Sequence, residues 1–313
     1  MRQRQASPHT IASYRDTFRL LLAFAQKRLN KAPSDLCLEN LELPFLCEFL
    51  DHLETERGIS ARSRNVRLAA LRSFFKYAAL EAPQHSALIQ RVLAMPCKRH
   101  DRALVEFLSK PEVDALLAAP DRGTRTGRRD WTLLLVAVQT GLRVSEIVNL
   151  CIQDVVVGTG AHVRCLGKGR KERCTPLRRD AVAALRLWLR EQGDVPSAPL
   201  FPNARGGRLS RDGVEYLLAK HVSTAGLVCP SLKEKRVSPH VLRHTAAMDL
   251  LQHGVDRSVI ALWLGHESVE TTQMYLHANL ETKEAALAKT LPINVRAGRF
   301  KPDDALLAFL KGL

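Results

Sequence analysis

Between Ser7 and Met95 the apolar residues recur at helical spacing throughout, which commits the first hundred residues to an all-helical domain. Ile11, Tyr14, Phe18, Leu21, Leu22 and Ala25 mark the apolar stripe of a helix predicted over 7–29. A second helix is predicted over 44–57; Pro44 sits near its first turn, where a missing N–H costs nothing, and Gly58 ends it. A third spans 60–79 with Val66, Ala70, Phe74 and Tyr77 along one stripe, and a shorter fourth covers 84–95. On this reading Tyr14 and Tyr77 belong to the core.

The stretch from Met95 to Arg102 is polar, basic and broken by Pro96, the composition of a linker. Ser109-Lys110-Pro111-Glu112 then reads as a capping box, in which the serine oxygen takes an orphan N–H and the glutamate reaches back. The expected organisation is a helical domain over 1–96, a linker over 97–105, a second domain over 106–292 and a tail over 293–313. The second domain is predicted to be mostly helical. Residues 130–140 form a nearly all-apolar helix, and 144–150 another. Short strands over 161–166 and 173–177 flank Gly167-Lys168-Gly169-Arg170-Lys171 as a β-hairpin. Further helices are predicted over 178–191, 210–224, 239–253, 256–264, 269–276 and 281–290. In the tail, Ala305 to Leu310 reads equally as a partner-binding helix or a local cap. The fold class is therefore mainly α with a small antiparallel sheet, in two domains.

Charge narrows the function. The net charge is +15, with a balance of +7 over residues 1–100 and +8 over the remainder, so the excess is not confined to one tail. A polyanion, most commonly nucleic acid, is the expected partner. From Arg57 to Lys76 six basic residues occur with no acidic one, so the usual i+4 carboxylates are missing. Arg62, Arg64, Arg67, Arg72 and Lys76 are thereby candidate phosphate contacts. No apolar run is long enough to span a membrane, and the basic N-terminus has no apolar run behind it, so a cytoplasmic protein is expected. The seven cysteines are scattered without a Cys-x-x-Cys pair, which argues against a disulfide framework or zinc ribbon and reads as buried, reduced thiols.

Four constellations carry the chemistry. In Thr140-Gly141-Leu142-Arg143-Val144-Ser145-Glu146, Gly141 permits a tight turn, Arg143 projects from the next helix start, and Glu146 can hold its guanidinium. Gly167-Lys168-Gly169-Arg170-Lys171-Glu172-Arg173 lacks the Ser/Thr and spacing of a Walker loop. Its cations Arg170, Lys171 and Arg173 suit DNA contact at a hairpin tip, and one lysine could donate a proton. In His240-Val241-Leu242-Arg243-His244 the three polar residues share a helix face. The glutamate of a His-Glu-x-x-His zinc site is absent, so the set suits an anion better than a metal. Leu264-Gly265-His266 is followed nine residues later by Tyr275, which lies among polar residues, whereas Tyr216 lies beside Leu217 and Leu218 and reads as core.

In chain order these give Arg, Lys, His-x-x-Arg, His and Tyr within a basic helical protein. That order and spacing resembles the tyrosine recombinase (phage integrase) family over roughly residues 7–290. The matching segments are TGLRVSE, GKGRKER, PHVLRHTAA, LLQHGVDRSVIALWLGH and TTQMYLH, and the first domain is similar to the family's SAM-like core-binding domain. The resemblance implies an α+β catalytic domain in which Tyr275 attacks a DNA phosphate to give a 3′-phosphotyrosyl bond. It implies that Arg143 and Arg243 clamp the phosphate and His266 adds a hydrogen bond. His240 would take the tyrosine proton, and Lys168 would protonate the leaving 5′-oxygen. Glu146 and His244 would support them. It implies no cofactor, neither metal nor ATP, and as partners double-stranded DNA carrying specific recombination sites. It also implies a homo-tetramer in the synaptic complex, with monomer or dimer when free. The role implied is integration, excision or transposition of a mobile element. The alternatives are Xer-type resolution of chromosome or plasmid dimers, topoisomerase-like relaxation, and a non-catalytic DNA-binding descendant.

Overall fold

Three of the four α-helices described in the first hundred residues open on a serine cap or a first-turn proline, and each has an apolar face to bury. The computed structural model describes residues 7–99, 105–167, 172–193 and 195–265. Lys168, Arg170, Lys171, His266 and Tyr275 lie outside the described residues, as do the helices predicted over 269–276 and 281–290 and the tail over 293–313. The chain divides into two units, Met1–Ala103 and Leu104–Leu313.

In the first unit, α1 (Pro8–Leu29) is capped by the Ser7 hydroxyl, which accepts the Thr10 N–H at 3.2 Å. After α2 (Leu43–Thr55), α3 (Ala61–Glu81) is capped in the same way by Ser60, which accepts the Ser63 N–H at 3.2 Å. The shorter α4 (Ser86–Ala94) completes the unit. Leu21, Phe49, Leu50, Leu68, Leu71, Phe75 and Ile89 fill its core.

Two predicted stripes match this core only in part. On α3 the buried residues are Arg64, Leu68, Ala70, Leu71, Phe75 and Ala78, so Ala70 is buried as expected and Phe74 packs on the core, whereas Val66 and Tyr77 face out, Tyr77 at 61% exposure. The cause is a charged residue at a core position: Arg64 Nε stands 3.1 Å from Glu54 Oε2 on α2. On α1, Leu21 and Ala25 are buried and Phe18 packs on the core as expected, but Ile11 and Leu22 are exposed and Thr17 is buried, its hydroxyl donating to the Ser13 carbonyl at 2.9 Å.

The second unit opens with α5 (Lys110–Ala118), where the Ser109 N–H donates to the Glu112 carboxylate at 2.7 Å as the capping box requires. Next come α6 (Arg125–Thr140) and α7 (Val144–Asn149). A three-stranded antiparallel sheet follows in the order β1 (Val155–Val156), β2 (His162–Leu166), β3 (Glu172–Pro176). The β2–β3 hairpin was expected; β1 is two residues long and too short to show an alternation. Pairing of Cys165 with Arg173 and of Val163 with Thr175 puts these four on one face, and Val163, Cys165 and Thr175 are buried there.

Four helices complete the described part: α8 (Arg179–Arg190), α9 (Arg211–Val228), α10 (Pro239–Gln252) and α11 (Arg257–Leu264). The main core gathers Leu134, Val136, Leu142, Val163, Leu185, Trp188 and Leu218, and a smaller one of Ala247, Met248, Leu251, Ile260 and Leu264 fixes α11 on α10. Tyr216 is not core: it is 75% exposed on α9 while Leu217 and Leu218 are buried. Nor are all the thiols buried, since Cys37, Cys97 and Cys174 are exposed. Among the described residues, no helix is long and apolar enough to cross a membrane.

Candidate functional site

A buried helix that ends on a left-handed glycine builds the site. Gly141 closes α6 at φ +63, and a Cβ there would lie 2.6 Å from Leu264 Cδ2 and 3.1 Å from Ala246 Cβ. The turn is thus wedged against α10 and α11, and only glycine fits it. It delivers Arg143 to the cap position of α7, with Glu146 in the first turn.

Three arginines meet at the end of α11. Arg143 donates through Nη1 to Glu146 Oε1 at 3.0 Å and through Nη2 to the Gly265 carbonyl at 3.1 Å. Arg243, only 4% exposed, donates to the carbonyls of Gly141 and Leu264, both at 2.7 Å. Arg173 donates through Nε to the Trp263 carbonyl at 3.2 Å and grips both oxygens of Glu146 at 2.8 and 2.7 Å. The last carbonyls of a helix lack intrahelical partners and carry the negative end of its dipole, so cations settle there. Here three successive carbonyls receive three guanidiniums from distant parts of the chain. The Trp263 indole N–H donates to the Thr140 carbonyl at 3.1 Å and ties the end of α11 to the end of α6.

Glu146 is the carboxylate bonded to both Arg143 and Arg173, and its side chain is 4% exposed. Burial by itself would raise its carboxyl, but hydrogen bonds from Arg173 and the Arg143 N–H, with the charges of both guanidiniums, hold it below the usual carboxylate range. Arg143 and Arg173 share this one carboxylate, which leaves net positive charge in a partly buried place, and Arg243 stands beside them on the Gly141 and Leu264 carbonyls. Such a place favours an anion, and planar guanidiniums suit the oxygens of a phosphate.

Helix α10 starts on Ser238, whose hydroxyl accepts the Val241 N–H at 3.4 Å, with Pro239 in the first turn. It carries His240, exposed, and His244, half-buried, one turn apart, with ring centroids 6.5 Å from each other. Burial pushes the His244 imidazole down to about 4, helped by His240 and Arg243, so His244 is neutral at neutral pH. Among the described residues, no three or more His, Cys, Asp or Glu side chains are grouped as a metal site needs.

The structure therefore brings together Arg143, Glu146 and Arg243, and sets His240 and His244 on the helix that carries Arg243. Two of the expected DNA contacts are corrected. Arg173 is not a tip cation: strand alternation turns it inward opposite Cys165, and its side chain is 11% exposed. Arg64 is buried at 6% and paired with Glu54. Arg67 donates to the Ser13 carbonyl and the Thr17 hydroxyl, both at 3.1 Å, and Arg72 to the Met95 carbonyl, so both tie α3 to its neighbours. Arg62 and Lys76 are exposed.

Two buried polar clusters had not been anticipated. Glu112 takes Lys235 Nζ at 2.7 Å and the Ser231 hydroxyl at 2.7 Å; burial would raise its carboxyl, but these bonds and the Ser109 N–H lower it. Asp130 takes His221 Nε2 at 2.9 Å and Arg129 at 2.7 Å. The capping box hinted at Glu112, but Lys235 and His221 come from far along the chain and no local pattern announces them.

Two family models match this chain. One, described as the phage integrase family, covers residues 106–282, and the other, the phage integrase N-terminal SAM-like domain, covers residues 1–82. The chain is 64% identical to the putative integrase/recombinase y4rC of Sinorhizobium fredii over 313 residues, covering all of this chain and 94% of that protein. It is 35% identical to tyrosine recombinase XerC of Pelobacter propionicus over 280 residues, covering 89% of this chain and 88% of that one. In structure it resembles the XerH site-specific recombinase, bound to its difH substrate, with a TM-score of 0.72 at 23% identity, over 91% of this chain and 81% of that one.

Proposed function

Because the chain belongs to the phage integrase family, the tyrosine recombinases, we propose that it cuts and rejoins double-stranded DNA at specific sites through a 3′-phosphotyrosyl bond to Tyr275. The observation that carries this reading is the meeting of Arg143, Arg173 and Arg243 on the carbonyls of residues 263–265, beside the Glu146 carboxylate that Arg143 and Arg173 share. In the proposed step the Tyr275 oxygen attacks phosphorus and the bond to the 5′-oxygen breaks. The phenol proton passes to His240, since a phenol with a pKa of about 10 is a weak nucleophile at neutral pH. Lys168 gives a proton to the departing 5′-oxygen. Arg143 and Arg243 hold the non-bridging oxygens, which gain charge in the pentacoordinate transition state, and His266 adds a hydrogen bond. The phosphotyrosyl bond retains the phosphodiester's energy, so a 5′-hydroxyl of another strand can reverse the step.

A nicked suicide substrate tests this directly. Wild-type protein should form a covalent DNA adduct, and Tyr275→Phe should bind DNA but form none. An adduct that persists in Tyr275→Phe would sink the assignment.

The role we favour is integration or excision of a mobile element by four protomers on two sites. Support comes from the 64% identity to an integrase/recombinase across the whole chain, against 35% to a Xer recombinase. Expressing the gene beside its native flanking DNA should yield an excised circle with a joined junction. Resolution of plasmid dimers with no such circle would favour the Xer-type role instead.

A further inference from the structure

We propose that Arg173 is a positioning residue that couples the β2–β3 hairpin to the arginine clamp. The proposal rests on the reading that Arg143 and Arg243 hold the scissile phosphate. Three observations carry it.

First, β3 turns Arg173 away from the hairpin's outer face. It pairs across the strands with the buried Cys165, and its guanidinium reaches the inner end of the site. Second, Arg173 fixes Glu146 completely. Its Nη1 and Nη2 take Oε1 and Oε2 at 2.8 and 2.7 Å, while Arg143 uses the same two oxygens, at 3.0 Å through Nη1 and 2.7 Å through its N–H. A forked, two-point grip sets the plane of the carboxylate, which a single bond cannot do. The direction of Arg143 therefore depends on Arg173 through Glu146. Third, Arg173 presses on the turn after α11. Its Nε bonds the Trp263 carbonyl at 3.2 Å, and its Nη1 lies 2.8 Å from where a Cβ on Gly265 would be, at φ +66. The next residue in the chain is His266.

Arg173 is thus joined to the clamp at one end and follows the Gly167–Lys171 loop by two residues at the other. Through these bonds Arg173 holds Glu146, and with it Arg143 and the Gly265 turn, in one geometry before the tyrosine attacks.

The mild variant Arg173→Lys keeps the charge but cannot make the fork and the Nε bond at once. At saturating nicked substrate, single-turnover adduct formation should slow by about tenfold to hundredfold, the scale of a small misplacement of reacting groups. The DNA concentration for half-saturation should stay within about twofold, since no phosphate contact is removed. Combining Arg173→Lys with Glu146→Gln should slow the step little beyond the slower single variant, because both break one linkage. A purely structural role would lower the amplitude and the melting temperature but leave the rate constant of the folded fraction unchanged. A DNA-contact role would weaken binding and its salt dependence at unchanged saturated rate. Either result, or additive effects in the double variant, overturns the proposal. If wild-type protein forms no adduct at all, the recombinase mechanism fails and this inference with it; an adduct in wild type with an unchanged rate in Arg173→Lys overturns this inference alone.

Discussion

His244 stays neutral at pH values where most histidines are half charged, because burial opposes its charge and His240 and Arg243 stand near it. The folded protein refuses the proton until about pH 4, whereas the unfolded chain accepts it near 6.5. Between those values the unfolded state binds more protons, so stability falls as pH falls. The contribution is complete above 6.5 and is lost by about 4. Urea unfolding at pH 7 and pH 4.5 should show the loss, up to roughly 3 kcal/mol from this group, and His244→Gln should flatten it. Glu146 acts in the same direction further down: its carboxylate supports the fold above the ordinary carboxyl pKa, and the support is lost on further acidification. Cysteine chemistry is equally sorted by place. Burial raises the Cys165 thiol to about 11, which leaves little thiolate, whereas Cys37, Cys97 and Cys174 are exposed. Iodoacetamide on native protein at pH 8, read by mass spectrometry, should modify those three and spare Cys151 and Cys165. Rapid labelling of Cys165 would mean that the β2–β3 face is open.

At the scale of elements, the turn at Gly141 and the turn at Gly58 separate two costs that glycine substitutions usually mix. Both have positive φ, +63 and +60, but a Cβ meets Leu264 and Ala246 at Gly141 and nothing within 4 Å at Gly58. Gly58→Ala should cost about 1 kcal/mol from backbone conformation alone, and Gly141→Ala should cost more, about 2–4 kcal/mol, through added overpacking. Chemical denaturation of both variants checks the difference; equal losses would contradict the wedge. The same scale shows what the sequence could reveal. Helix starts were legible because Ser7, Ser60 and Ser109 announce them chemically. The face of α3 was read only in part: hydrophobicity picked Ala70 and Phe74 but also the exposed Val66 and Tyr77, while the true stripe contains Arg64, whose partner Glu54 lies on another helix. In the site, Arg143 and Glu146 were legible as a local pair. Arg173 was taken for a tip cation, although period-two alternation along Glu172 to Pro176 already separates it from the exposed Cys174.

Over the whole molecule, a net charge of +15 spread across both units gives a polyanion two surfaces to meet. The basic residues do not contribute equally. Arg62 and Lys76 are exposed on α3, whereas Arg64 is inside. Replacing Arg62 and Lys76 together by Ala should weaken DNA binding at low salt and reduce the slope of log affinity against log salt by about 2, with little change in melting temperature. Arg64→Ala should instead lower the melting temperature, since Glu54 would lose its buried partner. Titrations at several salt concentrations distinguish them, and a full salt slope in the double variant would place the contacts elsewhere.

The three carbonyls at the end of α11 are held by residues 143, 173 and 243, so one short turn depends on chain segments more than a hundred residues apart. During synthesis that turn cannot be completed until Gly265 has left the ribosome. A nascent chain carrying Arg143 and Arg173 therefore has these guanidiniums before it has the carbonyls of residues 263–265 that hold them.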